Sequence, residues 1–232
     1  MLGPLTGLIL LTGSNSQSLV SIQGSQGAEM ISVEEILQGM REAVSSYNES
    51  LENLTVEQTT ELKSTLLGET RIVSRVRFDR PDSIEQQVIE NEEQLHAGVN
   101  MEIDDSVTPE LFTQPPVASL SVDDYEISLT GRDVLRGRPA YQLRVAPRGK
   151  QDGLIDGELW IDIEDFVVVR YEGESLIRED SPEASDGTQI LEYEKIGDSY
   201  WLPIRDQTET SWMIVIKLIR DVVYSGYEFD TE

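Results

Sequence analysis

YEISLTGRDVLRGRPAYQLRVAPRG at residues 125–149, followed by GELWIDIEDFVVVRYEGE at residues 157–174, is the stretch from which the fold is read. Apolar and polar residues alternate through it: Tyr125, Ile127 and Leu129, then Tyr141, Leu143 and Val145, then Leu159 and Ile161. That period of two, broken by Gly and Asp, predicts strands at 125–130, 140–146, 157–163 and 167–172. The connections are short, as in an antiparallel meander.

Working outward, the same pattern predicts strands at 54–66, 70–78 and 83–89, with turns at Leu67-Gly68-Glu69 and Asp79-Arg80-Pro81-Asp82. Further strands are predicted at 189–196, 201–210 and 212–223. Residues 91–122 are acidic and carry Pro109, Pro115 and Pro116, which predicts a long loop with one helical turn at Thr108-Pro109-Glu110. Upstream, Ser32 is an N-cap and Glu34 and Glu35 suit the positive end of a helix running to about Tyr47. Val33, Ile36, Leu37, Met40, Ala43 and Val44 fall on one face of it.

The expected fold class is therefore mainly β, an α+β domain over residues 30–232. So many strands in one sheet twist and curl, and a single helix cannot cover them flat. A strongly curved antiparallel sheet, an unclosed β-barrel with one or more helices over its concave face, satisfies both demands. The mouth of such a half-barrel is a favoured ligand site.

Charge narrows the partners. Asp and Glu number 44 against 18 Lys and Arg, a formal charge of -26, and lysine occurs only at Lys63, Lys150, Lys195 and Lys217. Such a surface repels phosphates and anionic headgroups, so nucleic acid is excluded as a charge-driven partner. The acidic residues are spread along the chain, the pattern of proteins adapted to molar salt, where charges are screened within about 3 Å. A halophilic source is expected.

The first residues read as an address. MLGPLTGLILLTG at 1–13 is an apolar run too short to span a bilayer and resembles the core of a signal peptide. Leu11-Thr12-Gly13 matches a lipobox, with Ser14 where the lipidated cysteine would stand. Residues 14–29, rich in Ser, Gln and Gly, read as a flexible tether. Export to the periplasm or cell surface is expected, with a membrane anchor at the N-terminus if the native chain is lipidated.

The quoted stretch carries a resemblance. Gly137-Arg138, then Tyr141-Gln142-Leu143-Arg144-Val145-Ala146-Pro147, then Leu159-Trp160-Ile161-Asp162 with Phe166 resemble the LolA/LolB-like superfamily of extracytoplasmic lipoprotein carriers and RseB-like sensors. Tyr193, Ile196 and Trp201-Leu202-Pro203, with a last strand reaching Tyr224 and Tyr227, follow the same order. Residues 91–122 depart from it, lacking the tryptophan-bearing strand pair common in the family. The resemblance implies an unclosed barrel around an apolar cavity for acyl chains or lipid-modified peptides, filled and emptied by lid movement.

Reactive chemistry has little foothold. Cysteine is absent and His96 is the single histidine, which excludes thiolate sites and disfavours a Ser-His-Asp triad. No phosphate loop or dinucleotide fingerprint occurs. Asp162 and Glu164 read as a solvated pair on one strand face, and no metal or cofactor is expected. The candidate cavity lining is Ile36, Leu37, Met40, Val44, Trp160, Trp201 and Trp212. The expected function is a non-catalytic, monomeric carrier of lipid or acylated protein ligands. The alternative is a surface-anchored structural, adhesion or sensor module whose core its own side chains fill.

Overall fold

The computed structural model describes residues 31–46, 49, 51–80, 83–96, 107, 112, 120, 122–149, 155–174, 187–197, 199–212 and 216–229. The chain divides into two units, Met1–Met30 and Ile31–Glu232. The expected leader, tether and Ser14 belong to the first and lie outside the described residues, as does the expected turn at Thr108-Pro109-Glu110.

The second unit holds a helix, α1 (Val33–Ser46), and ten strands. These are β1 (Asn53–Ser64), β2 (Gly68–Asp79), β3 (Ser83–Leu95), β4 (Tyr125–Leu135), β5 (Arg138–Pro147), β6 (Gly157–Asp162), β7 (Val168–Glu174), β8 (Thr188–Ile196), β9 (Tyr200–Trp212) and β10 (Ile216–Phe229). They form one antiparallel sheet in the order β3-β2-β1-β10-β9-β8-β7-β6-β5-β4. All neighbours but β1 and β10 are consecutive in sequence, so the sheet is two meanders joined by that one pairing. Its edges are β3 and β4, and it does not close into a barrel.

Three strands outrun their sequence signal. β3 continues to Leu95 instead of ending at Ile89, because it is an edge strand exposed on both faces and has no apolar alternation to read. β4 continues past Thr130 to Leu135 through a bulge between Leu129 and Gly131, which shifts the alternation by one residue. β10 runs on to Phe229, pairing with Leu54 at the start of β1.

Local chemistry sets the turns. Arg136 and Gly137, both at positive φ (50° and 82°), join the Leu135–Arg138 pair as a two-residue primed turn, the kind that matches strand twist. Helix α1 begins with a capping box: the Ser32 N–H and Oγ donate to Glu35 Oε2 at 2.8 and 2.9 Å, and the Glu35 N–H donates to Ser32 Oγ at 3.2 Å.

The apolar side chains form two clusters. One packs Ile36, Leu37 and Met40 of α1 with Tyr141, Leu143, Leu159, Ile161, Tyr171 and Leu191. The other surrounds Phe112, whose ring lies 5.6 Å from Phe78 and 6.5 Å from Tyr224. Among the described residues no helix is long and apolar enough to cross a membrane.

Candidate functional site

The face beneath α1 is built by alternation. Ladder pairing aligns Tyr141 with Ile161, Leu143 with Leu159 and Leu159 with Tyr171, so one apolar row crosses β5, β6 and β7. Onto it the helix sets Ile36, Leu37 and Met40, each no more than 2% exposed. Val44, one turn further, is half-buried. Burying the three side chains contributes roughly 1.5–3 kcal/mol each, together roughly 5–9 kcal/mol.

What fixes the helix on the face is the β6–β7 turn. The Asp162 carboxylate accepts the N–H groups of Glu164 and Asp165, each at 2.9 Å, and receives Nε and Nη2 of Arg138 at 2.7 and 2.9 Å. The turn so held places Phe166 at φ 53° with its ring 6.4 Å from Tyr141. Gly39 of α1 lies directly over that ring: a Cβ there would stand 2.4 Å from Phe166 Cδ1. Arg138, Asp162, Phe166, Gly39 and α1 thus form one mechanical series.

The solvated Asp162–Glu164 pair expected from sequence is corrected here. Asp162 is 1% exposed and ion-paired, while the Glu164 side chain is 70% exposed and lies in the turn. Burial raises the Asp162 carboxyl, but the Arg138 bonds and the two turn N–H groups outweigh it and hold the pKa below the ordinary 3.8. A Gly-Arg turn facing an Asp at the end of a strand was the available signal, and carboxylates elsewhere in the chain are too many for it to stand out.

Trp160 does not point under the helix. Trp160 alternates with Leu159 and Ile161 and so points to the opposite face, where its Nε1 donates to Asp133 Oδ2 at 3.3 Å and the Arg170 guanidinium lies 5.4 Å above its ring. Trp201 has the Arg138 guanidinium at 5.3 Å and Lys195 Nζ at 5.9 Å, and its Nε1 donates to Asp165 at 3.1 Å. The side chain of Trp212 lies outside the described residues.

Two of the hollows on the described surface differ in size and polarity. A crevice of about 80 Å³ beside Trp201 is lined by Leu135, Ala140, Val169 and Tyr193 among others, well under the roughly 300 Å³ at which ligand pockets begin. A groove of about 530 Å³ along Thr55, Arg75, Arg77 and Glu85 is large enough but lined only by polar and charged residues, a poor seat for an acyl chain. Among the described residues no three acidic or histidine side chains gather as they would around a metal ion.

No family model matches the sequence, and no curated protein matches it. Solved structures resemble it in fold at low identity. A domain described as an outer membrane lipoprotein-sorting protein, from Vibrio parahaemolyticus, is 12% identical over 85% of this chain and 93% of its own, with a TM-score of 0.46. A DUF1329 family protein from Desulfovibrio piger is 14% identical over 85% of this chain and 93% of its own, with a TM-score of 0.41. A LolA superfamily protein from Nitrosomonas europaea, the superfamily that residues 125–174 resemble, is 12% identical over 87% of this chain and 95% of its own, also at 0.41.

Proposed function

We propose that this chain is an extracytoplasmic, non-catalytic binding protein or carrier that takes a lipid or acylated ligand against the apolar face beneath α1, with the helix as a movable cover. The supporting observation is the helix itself. It supplies three fully buried apolar side chains to the open sheet and rests on it through Phe166. The expected export, the N-terminal anchor and the monomeric state belong to the same reading.

Magnitudes set what can displace it. Lifting α1 costs roughly 5–9 kcal/mol of lost burial, and an acyl chain regains about 0.8 kcal/mol per methylene. Roughly 6–11 methylenes are therefore needed to replace the helix. Titration with uncharged 1-alkanols of roughly six, ten and sixteen carbons, read by displacement of a fluorescent lipid, tests this. Binding is expected to appear near ten carbons and strengthen at sixteen. No binding at any length sinks the reading.

The second reading, a self-filled structural module, is favoured by the same tight packing of Ile36, Leu37 and Met40. A reversible lock separates the two. A Cβ on Gly39 lies 2.5 Å from Phe166 Cγ, hence within about 4 Å of the Phe166 Cβ, a span a disulfide bridges. The chain has no cysteine of its own. In the G39C/F166C variant a carrier loses lipid binding on oxidation and regains it on reduction. A self-filled module binds nothing in either state.

A further inference from the structure

Between the two apolar clusters the same face turns polar, where alternation ordinarily places core residues. One ladder row crosses five strands as Gln189, Thr208, Arg220, Leu62 and Thr70. The next row carries Asp206 between Leu191 and Val222, then Thr60. Gln189, Thr208, Asp206, Thr60 and Thr70 are all at least nine-tenths buried.

Part of this set is satisfied. Gln189 Nε2 donates to Asp206 Oδ1 at 2.7 Å, and Arg220 Nη1 donates to Asp206 Oδ2 at 3.3 Å. Burial raises the Asp206 carboxyl despite those bonds. Among the described residues the hydroxyls of Thr70 and Thr208 have no hydrogen-bond partner. A buried hydroxyl left unpaired costs roughly 1–3 kcal/mol, and valine would fill the same space without that cost. Two such hydroxyls, about three strand spacings or roughly 14 Å apart on one face, are a pattern that packing does not require.

We propose that this row is a seat for the uncharged, hydroxyl-rich head group of an amphiphile whose chain lies on the neighbouring apolar face. The proposal rests on the carrier reading and adds the chemistry of the head group. Thr70 and Thr208 supply the buried, unpaired hydroxyls, which a head group meets once the face above them is uncovered. The full charges in the two rows, Asp206 and Arg220, neutralise one another, so an ionised head group would bury a charge without a counterion. The separation of the two threonines suits several hydroxyls on one head group and not a single one.

The test uses the folded chain and three amphiphiles with one decyl chain, each below its micellar concentration: decyl maltoside, decanol and decyl phosphate. Decyl maltoside is expected to bind about tenfold tighter than decanol, the ratio that two ordinary hydrogen bonds supply. The T70V/T208V variant, with T208V alone beside it, is expected to lose that preference, keep its affinity for decanol and melt no lower than the parent. Equal binding of maltoside and decanol, tighter binding of decyl phosphate, or a preference that survives in the variant overturns the seat and leaves the carrier reading standing. A clear fall in melting temperature makes the hydroxyls structural and overturns it as well. Binding of none of the three overturns both.

Discussion

Replacing Gly39 by alanine puts the series from Asp162 to α1 to a quantitative test. On an exposed helix face this change stabilises by about 1 kcal/mol, because glycine is the poorer helix former. Here the added methyl would stand 2.4, 2.5 and 2.9 Å from three atoms of the Phe166 ring. The ring has little room to retreat: its centroid lies 6.4 Å from that of Tyr141 and the turn that carries it is tied through Asp162. The helix must lift instead, and overpacking of this kind costs roughly 1–3 kcal/mol. Set against the propensity gain, the net is a loss of about 1 kcal/mol. In a domain of this size that lowers the melting temperature by about 2–4 °C. It also speeds amide exchange in α1 about fivefold, since the strained contact is one of those that seat the helix on the sheet. Hydrogen exchange over residues 33–46 together with a thermal melt provides the measurement, and Q38A, exposed on the same helix, serves as the reference. A G39A protein that melts higher than its parent, or exchanges more slowly in α1, refutes the contact and with it the role given to Phe166.

Three further outcomes follow from the structure. Asp162→Asn is expected to cost about 1.5–3 kcal/mol by weakening charged hydrogen bonds, read by denaturant unfolding with an unchanged slope. The Asp162 pKa is lowered in the folded state, so its stabilisation is fully present above 3.8, drains away as pH falls below that value, and is absent from D162N; parallel acid profiles of the two proteins would contradict this. Burial raises the pKa of both Tyr171 and Tyr224 above the ordinary 10, so an alkaline absorbance titration is expected to show these two ionising only with unfolding, and stability to fall as pH rises past 10. With a formal charge of -26, raising KCl from about 0.1 M to about 2 M is expected to raise the melting temperature markedly, and a melt indifferent to salt argues against self-repulsion as the limiting term.

Strand count was readable because most strands bury one face and so alternate, as the residues flanking Leu143 and Leu159 do; the pairing of β1 with β10 was not, because nothing local marks which distant strands meet. Where burial fails, legibility fails with it, as in β3, whose Glu90, Glu92 and Glu93 look like loop. The helix face was legible for the same reason, and Ile36, Leu37 and Met40 fall where spacing puts them. Trp160 was expected in the cavity lining on the strand that carries the resemblance, yet its neighbours Leu159 and Ile161 face the helix and successive residues on a strand point opposite ways. The polar row from Gln189 to Thr70 was invisible because it crosses the pairing of β1 with β10, strands far apart in sequence, and Asp162 was lost among the chain's many other carboxylates.

The seam between β3 and β4 has a mechanical consequence. In a closed barrel the girth is fixed by hydrogen bonds running all the way round, so admitting a larger guest means breaking some of them. A sheet with two free margins can uncurl instead, changing its radius through small adjustments of twist at each ladder while every rung stays intact. The bulges in the β1–β10, β2–β3, β4–β5, β6–β7 and β8–β9 pairs are points where such bending concentrates. On the proposed carrier reading, guests of different girth would share one scaffold, with the hinge work spread over five ladders instead of loaded onto one.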